Sequence, residues 1–222
     1  MNSKKYDTNT LFYNKFVCKG VLITSLASIF RNANSKYIKK NLDTLQANAE
    51  AGMPLYHPAR SYQTPVKFDE FADACVLFAE LKNLKTDYTL RAEGLTLGIY
   101  TNDKAWLQRL DEKIGFSELH TPECIEDIEY LLEHPNVVIV DKPVEWRYKC
   151  FLGMKCDPAF KDFYNANKDK IKIGETALQG VERGYTDGFY FWLKDKRYLS
   201  LCMMSGATIK RIVKHVTRNE IR

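Results

Sequence analysis

The sequence predicts an α+β fold of mixed or antiparallel sheets with helices packed on one face. Amphipathic helix patterns alternate with short strand patterns along the 222 residues. A β-hairpin pattern stands directly before a helix pattern, which is more typical of an α+β fold than of a doubly wound sheet with regular crossovers. The composition, 45% apolar, 13% aromatic and 27% charged, is too rich in large side chains for intrinsic disorder. We therefore expect a folded chain.

Residues 1–60 are predicted to form a basic N-terminal arm and helices. A helix is expected over 35–51, because apolar residues recur there at helical spacing, Ser35 is a suitable N-cap and Gly52 follows. The exposed side of this helix is expected to carry Lys36, Lys39 and Lys40. The proline-containing residues 53–66 are the best candidate for a linker.

Residues 61–141 are predicted to form an acidic α/β unit around a β-hairpin at 87–101. Each hairpin strand alternates in apolar character, and Glu93-Gly94 separates the two strands. The helix after the hairpin is expected to be capped by Asn102 and to stop at Gly115. Periodicity indicates the unit's other elements: helices at 67–84, 103–114 and 123–133, and a short strand at 137–140.

Residues 142–222 are predicted to form a C-terminal α/β unit that ends in a basic segment. Its earlier elements are strands near 146–150 and 188–193, a helix after Asp157-Pro158 and a short helix at 195–205. Residues 208–217 fit two templates, because their apolar spacing is helical whereas their β-branched side chains and the preceding Gly206 favour a strand. We expect the strand. In either form, its cationic side chains are expected on one exposed surface.

The order of elements is similar to that of ferredoxin-like or RNA-recognition-like units, in one copy or two. The analogy concerns architecture alone, because the sequence contains no RNP1-like motif of a basic residue, glycines and aromatic residues. The sequence also shows no internal repeat.

Charge is sorted along the chain. Residues 1–50 hold eight Lys or Arg against three Asp or Glu, residues 194–222 hold eight against two, and the residues between them hold 17 against 23. Two basic ends that flank an acidic middle predict binding to a polyanion, or neutralisation of the middle by the fold or by a neighbouring subunit. The expected partners are therefore nucleic acid, other proteins or a second copy of this chain.

Aromatic and basic residues interleave near the C-terminus, a pattern typical of single-stranded nucleic-acid binders, in which bases stack on rings and phosphates pair with cations. Arg147-Tyr148-Lys149 shows a similar pattern upstream. The alternative is a buried aromatic strand with a charged turn, and ordinary exposed lysines. The predicted nucleic-acid-binding residues are Tyr190, Trp192, Lys194, Lys196, Arg197, Lys210, Arg211, Lys214 and Arg218, together with Lys36, Lys39 and Lys40.

The sequence predicts no catalytic residue, metal ligand or cofactor. His215 and Thr217 form an H-x-T element, but two-histidine phosphoesterases need a second such element, which this sequence lacks. The carboxylates at 123–133 are interpreted as the wet side of a helix, with divalent-cation binding as the alternative. The sequence contains no phosphate-binding loop or nucleophile elbow. The six scattered cysteines are interpreted as reduced structural thiols.

The longest apolar runs fall well short of the roughly 20 residues that a membrane helix needs, and the first residues do not resemble a secretory signal. We expect no membrane span and a cytoplasmic location, in the host cytoplasm or the virion for a viral protein. The expected function is that of a non-enzymatic accessory protein that binds DNA or RNA through basic terminal surfaces. The alternatives are a structural or assembly subunit, viral or otherwise, whose basic ends dock on acidic partners, and a metal-dependent nuclease.

Overall fold

The computed structural model describes residues 3–31 and 33–221, which contain seven α-helices, ten β-strands and three short 3₁₀ turns. Contacts divide the chain into two compact units, Met1–Cys124 (unit 1) and Ile125–Arg222 (unit 2). Each unit has its own five-stranded mixed sheet. The predicted α+β fold class is therefore confirmed.

Unit 1 contains, in chain order, β1 (Lys4–Asp7), β2 (Cys18–Ile23), a 3₁₀ turn (Ala27–Phe30), α1 (Ser35–Glu50), α2 (Phe68–Asn83), β3 (Tyr88–Glu93), β4 (Thr96–Thr101), α3 (Lys104–Ile114) and β5 (Glu118–Thr121). Its strands lie in the order β1-β5-β2-β4-β3. β1 is parallel to β5, and all other neighbouring pairs in this sheet are antiparallel. The predicted hairpin is confirmed as β3 and β4.

Unit 2 contains, in chain order, α4 (Ile125–Glu133), β6 (Val137–Val140), β7 (Tyr148–Leu152), α5 (Ala159–Ala166), β8 (Ile171–Ile173), α6 (Glu175–Glu182), β9 (Tyr190–Leu193), a 3₁₀ turn (Lys196–Tyr198), α7 (Leu199–Met204), β10 (Ile209–Thr217) and a 3₁₀ turn (Arg218–Glu220). Its strands lie in the order β6-β10-β7-β9-β8. β6 is parallel to β10, and the other neighbouring pairs are antiparallel.

The two sheets share one topology. In each unit the first strand is an edge strand parallel to the last, and the second, fourth and third strands follow in that order across the sheet. Without its first strand, unit 1 has the β-α-β-β-α-β order of a ferredoxin-like fold, with two helices, α1 and α2, in the place of the first one. Unit 2 has this order with α6 inserted between its middle strands. The structure thus shows a repeat of topology that the sequence does not reveal.

The core of unit 2 lies between one face of its sheet and its helices. Cys150 and Leu152 of β7 and Phe191 and Leu193 of β9 are at most 1% exposed, and Phe160 of α5 packs with them. Successive residues of a strand point to opposite faces, so these core positions also determine which side chains lie on the other face.

Two helix caps differ from the predicted ones by one residue. α1 is capped by Asn34 rather than Ser35, because the Asn34 side chain accepts hydrogen bonds from two backbone N–H groups of the first turn. α3 is capped by Asp103 rather than Asn102, because the Asp103 carboxylate accepts a 2.8 Å bond from the N–H of Trp106. In both places two neighbouring residues suit a cap, and local sequence does not choose between them.

Four short elements, β1, β5, β8 and α6, have no counterpart in the sequence prediction. Each strand has only three or four residues, too few for an alternation pattern to stand out. In α2, the first residue, Phe68, is 64% exposed. The buried residues of α2 are Phe71, Ala74, Leu77 and Leu81.

Residues 53–66 do not connect the two units, because they lie inside unit 1 between α1 and α2. Within this segment Tyr56 bridges Pro65, and His57 is only 3% exposed. The predicted boundaries at 60/61 and 141/142 fall within unit 1 and unit 2 respectively, in irregular segments. The strand predicted for residues 208–217 is confirmed as β10.

None of the helices in the described residues has the length and apolar character needed to cross a bilayer. Four of the six cysteines, Cys18, Cys150, Cys156 and Cys202, are buried. Burial raises the pKa of Cys18, Cys150 and Cys202 to about 12. These three thiols therefore remain protonated at neutral pH and pack as small apolar groups.

Candidate nucleic-acid interface

The helices of unit 2 pack on one face of its sheet, and the opposite face carries aromatic and basic side chains. The strand register places Lys149 opposite Trp192, and it places Phe151 between Tyr190 on β9 and Arg211 on β10. Residues directly opposite each other in an antiparallel pair share a face. We call this surface the aromatic-basic face; its aromatic and basic members are Lys149, Phe151, Lys172, Tyr190, Trp192, Arg211 and His215. The buried Val213 lies on the same face, opposite Lys149.

Four rings form a continuous row on the aromatic-basic face. The ring centroids of Phe151 and Tyr190 are 5.9 Å apart, and those of Tyr190 and Trp192 are 6.1 Å apart. His215 continues the row, with its ring 4.9 Å from that of Trp192 and nearly perpendicular to it. These separations are within the range of favourable aromatic pairs, so the rings hold one another in place.

Two cations lie among the rings. The Lys149 ammonium is 3.8 Å from the ring centroid of Tyr190, 5.1 Å from that of Phe151 and 5.5 Å from that of Trp192. The Arg211 guanidinium lies 4.7 Å from the centroid of Phe151. Neither cation has an ion pair with any residue that the structure describes. Among the described residues, the neighbours of these two positive charges are therefore aromatic rings and not carboxylates.

The aromatic-basic face is open to solvent. Tyr190 is 40% exposed, Lys172 and Arg211 are also exposed, and Phe151 and Trp192 are half-buried. The rings of Phe151 and Trp192 are therefore partly in contact with solvent. Such a surface combines stacking platforms with unneutralised positive charge.

His215 lies on this face as a neutral group at pH 7. Burial and the charge of Lys149 lower the pKa of His215 below its usual range. A neutral imidazole has one donor nitrogen and one acceptor nitrogen. The other half of the H-x-T element is engaged elsewhere, because the Thr217 hydroxyl donates to the Glu220 carboxylate at 3.1 Å.

A cleft of about 390 Å³ lies at one end of the aromatic-basic face. The loop between β6 and β7 supplies Val144, Glu145 and Trp146 to its lining, and Lys172, Trp192 and His215 complete it. The Lys194 ammonium lies 4.8 Å from the Trp146 ring centroid and 2.6 Å from the Glu145 carboxylate. That contact with Lys194 lowers the pKa of Glu145, so the carboxylate is ionised at neutral pH.

The structure brings together only some of the residues that the sequence predicts to bind nucleic acid. Tyr190, Trp192 and Arg211 lie on the aromatic-basic face. Lys194 borders the cleft through its ion pair with Glu145. Lys196 is exposed in the turn before α7.

The expectation that the cations of 208–217 share one surface is wrong. Strand alternation separates them, because Lys214 lies opposite Tyr148, whose ring packs against the core of unit 2, whereas Arg211 lies opposite Phe151. Lys210 is the extra residue where the register between β10 and β7 shifts, and its side chain is exposed.

Two predicted binding arginines are engaged with carboxylates. Arg218 bonds the buried Asp127 and the exposed Asp141, each at 3.1 Å, so its guanidinium faces the protein and departs from the outward position that we expected. Arg197 pairs with Asp195 at 2.6 Å but remains 86% exposed. Asp127 also corrects the interpretation of 123–133 as a uniformly wet acidic face.

The lysines of α1 belong to unit 1. Lys36, Lys39 and Lys40 are all exposed, as predicted from the helical spacing. Lys39 pairs with Asp43 at 2.6 Å, one turn further along the helix. Their role in binding stays a prediction.

The predicted binding residues lack four members of the aromatic-basic face: Lys149, Phe151, Lys172 and His215. Phe151 and Lys172 belong to no motif in the sequence, and His215 is considered there only as part of the H-x-T element. Lys149 is the member that the sequence could have indicated, since it stands between Tyr148 and Cys150 in a strand-like alternation of polar and apolar residues. What the sequence could not show is that β7 and β9 are neighbours, which places Lys149 among three rings.

The corresponding face of the unit 1 sheet is covered by its own chain. The rings of Phe12 and Tyr13, from the loop before β2, lie 5.7 Å and 4.8 Å from the ring of Tyr100 on β4. Phe12 also lies 5.7 Å from His120 on β5. The two units therefore share a topology but differ in what lies on the second face of the sheet.

One further pair of polar residues, His57 and Ser28 in unit 1, resembles part of an active site but cannot act as one. The His57 Nε2 atom is 2.8 Å from the Ser28 hydroxyl, but Nδ1 accepts the N–H of Ala59, so Nε2 carries the proton and cannot act as base toward Ser28. Within residues 3–31 and 33–221, no group of three His, Cys, Asp or Glu side chains could hold a metal ion.

Comparison with known proteins gives no match: no family model, no curated protein and no solved structure is similar to this chain.

Proposed function

We propose that this protein binds single-stranded nucleic acid through the aromatic-basic face of unit 2. The observation that carries the proposal is the position of Lys149, an unneutralised cation among Phe151, Tyr190 and Trp192 on an open sheet face. Rings accept unstacked bases of any sequence, and the adjacent cations accept the phosphates that connect them.

The geometry favours a single strand over a duplex. The bases of a duplex already stack on each other, so rings on the face of a sheet cannot reach the flat sides of the bases. A single strand can turn successive bases toward Tyr190 and Trp192 while its phosphates run past Lys149 and Arg211. Each base–ring stack contributes about 1–3 kcal/mol, so two stacks together with the phosphate contacts give substantial affinity.

Fluorescence anisotropy tests the proposal directly. We expect the full chain to bind labelled single-stranded RNA or DNA of about eight nucleotides more tightly than a duplex of the same length. Trp192→Leu and Tyr190→Leu are each expected to weaken binding about tenfold or more, the effect of one lost stack. Lys149→Gln together with Arg211→Gln should flatten the plot of log affinity against log salt by about 0.7 for each lost cation.

The matched control is Lys85→Gln, which removes an exposed cation of unit 1 that is not among the predicted binding residues. It should leave the stacking contribution intact and change affinity far less than Lys149→Gln. Circular dichroism of each variant verifies that the fold is retained. The proposal is wrong if the wild-type chain binds no single-stranded oligonucleotide at low salt, or if Trp192→Leu binds as tightly as the wild type.

The assembly alternative makes a different prediction for the same variants. If the aromatic-basic face joins protein subunits, Tyr190→Leu and Trp192→Leu will reduce the sedimentation coefficient of an oligomer in the absence of nucleic acid. That outcome, together with no oligonucleotide binding, would replace the nucleic-acid proposal with the assembly proposal.

A further inference from the structure

We infer that the cleft at the end of the aromatic-basic face holds one base of the bound strand, and that Glu145 makes guanine its preferred occupant. This inference depends on the proposed function, because it assigns base preference to one position along the same binding surface. It rests on the position of the cleft, its aromatic walls and the hydrogen-bonding capacity of its polar groups.

The cleft continues the row of rings. Trp192 belongs both to the row and to the lining of the cleft, and so does His215. A strand that stacks on Tyr190 and then on Trp192 is directed into the cleft, where the loop that carries Val144 to Trp146 ends the open face. The volume of about 390 Å³ is at the lower end of small-ligand sites, which suits one nucleotide rather than several.

The walls of the cleft suit a base and its phosphate. Two indole rings, those of Trp146 and Trp192, contribute to the lining and offer stacking surface. Lys172 lines the same cleft, and it makes no ion pair with the described residues. Its ammonium is therefore available to a phosphate oxygen.

Glu145 determines which base is preferred. Its carboxylate is ionised, so it can accept hydrogen bonds but cannot donate them. Guanine presents two adjacent donors on its Watson–Crick edge, the imino N–H and the exocyclic amino group, which match the two oxygens of a carboxylate. The other bases place a carbonyl or ring-nitrogen acceptor beside their single donor group, and an acceptor facing a carboxylate is repelled.

Lys194 acts here as a positioning residue. Its ammonium holds one Glu145 oxygen at 2.6 Å and lies over the Trp146 ring, so it fixes the carboxylate beside that wall of the cleft. The side chain of Glu145 is itself 64% exposed, so its replacement should leave the fold intact.

Competition binding with four oligonucleotides tests the inference. The four share a uracil background and differ in a single central base, and each competes with a labelled oligonucleotide for the full chain. We expect the guanine-containing oligonucleotide to bind about tenfold more tightly than the adenine, cytosine or uracil ones. In Glu145→Gln this ratio should fall below about twofold, because an amide presents a donor where the carboxylate presented an acceptor.

The ratio of affinities is the measurement, since removal of a negative charge strengthens binding of every oligonucleotide. Glu182→Gln is the matched control, because Glu182 also pairs with a single exposed lysine, Lys161, but does not line the cleft. It should retain the full guanine preference. Quenching of tryptophan fluorescence by guanosine monophosphate, compared with the other three nucleoside monophosphates, measures the same preference without a strand.

The outcomes separate this inference from the proposed function. Equal affinity for the four oligonucleotides, or a guanine preference that persists in Glu145→Gln, would overturn the inference while leaving single-strand binding in place. No binding to any oligonucleotide would overturn both.

Discussion

The structural environment of Lys149 determines whether its positive charge is available to a ligand. As a lysine in a strand with alternating polarity it has the sequence signature of an ordinary surface residue. In the structure its ammonium lies within 3.8–5.5 Å of three ring centroids and lacks a carboxylate partner among the described residues. A cation over ring faces retains its ability to attract a phosphate, whereas a cation in an ion pair has lost much of it.

Arg218 illustrates the opposite case. Its guanidinium bonds Asp127, which is 1% exposed, so the arginine compensates a buried negative charge. We expect Arg218→Met to destabilise the protein by about 3 kcal/mol, because removal of one partner leaves the other charge buried and uncompensated. The measurement is the urea midpoint of unfolding, followed by tryptophan fluorescence and circular dichroism.

The control for this substitution is Arg197→Met, since Arg197 also pairs with an aspartate but is 86% exposed. Its midpoint should stay close to that of the wild type. Equal midpoints for Arg218→Met and the wild type would show that the ion pair with Asp127 has no structural role, and Arg218 would then return to the set of candidate phosphate ligands.

At the scale of elements, the strand conformation of β10 determines on which face of the sheet each C-terminal cation lies. Both a helix and a strand fit the residues of this segment, and the β-branched side chains correctly favour the strand. The period of two then assigns Arg211 and His215 to the aromatic-basic face and Lys214 to the opposite side. A helix of the same sequence would have kept most of these cations together.

The turn that leads into β10 depends on Gly206. Its φ of +98° is a backbone conformation that L side chains rarely adopt, and a Cβ there would lie 2.3 Å from the Cβ of Asp157. We expect Gly206→Ala to lower the free energy of unfolding by more than about 1–2 kcal/mol, because backbone strain and the steric clash add together. Urea unfolding of the full chain measures the change.

Gly174→Ala serves as the comparison, because a Cβ at Gly174 has no atom within 4 Å and the backbone φ there is −75°. Only a change of a few tenths of a kcal/mol is expected for that substitution at the N-cap of α6, because the N-cap preference for glycine over alanine opposes the lower conformational entropy of alanine in the unfolded chain. If both alanine variants unfold at the same urea concentration, the conformation assigned to Gly206 is incorrect.

At the scale of the whole molecule, the two units share one topology but carry different side chains on the second face of the sheet. Unit 1 and unit 2 have the same strand order and directions. In unit 1 the rings of Phe12 and Tyr13 lie on the second face of the sheet, against Tyr100. In unit 2 the equivalent face presents rings to solvent. A shared topology therefore does not imply a shared function, because function depends on the side chains of the face.

Photo-crosslinking tests this division between the units. Ultraviolet irradiation of the full chain with a single-stranded oligonucleotide should give crosslinked peptides that contain Phe151, Tyr190 or Trp192, because a ring that stacks on a base lies in the close contact that crosslinking requires. Peptides that contain Phe12 or Tyr100 should remain unmodified. Mass spectrometry of the digested complex identifies the peptides, and crosslinks concentrated in the unit 1 sheet would contradict the proposed location of the site.

The sequence by itself determined the α+β class, the β3–β4 hairpin, the helices α1 and α3 and the strand β10, because periodicity and turn residues act over a few neighbouring positions. The sequence also pointed to Tyr190 and Trp192. Only the tertiary structure decided that β7 lies beside β9, that Arg218 neutralises Asp127, and that the same topology occurs twice. These features depend on strand register and on distant pairs of residues such as Asp127 and Arg218, which are 91 positions apart. Local sequence patterns do not encode such distances, since they arise when separate elements bury their apolar faces together.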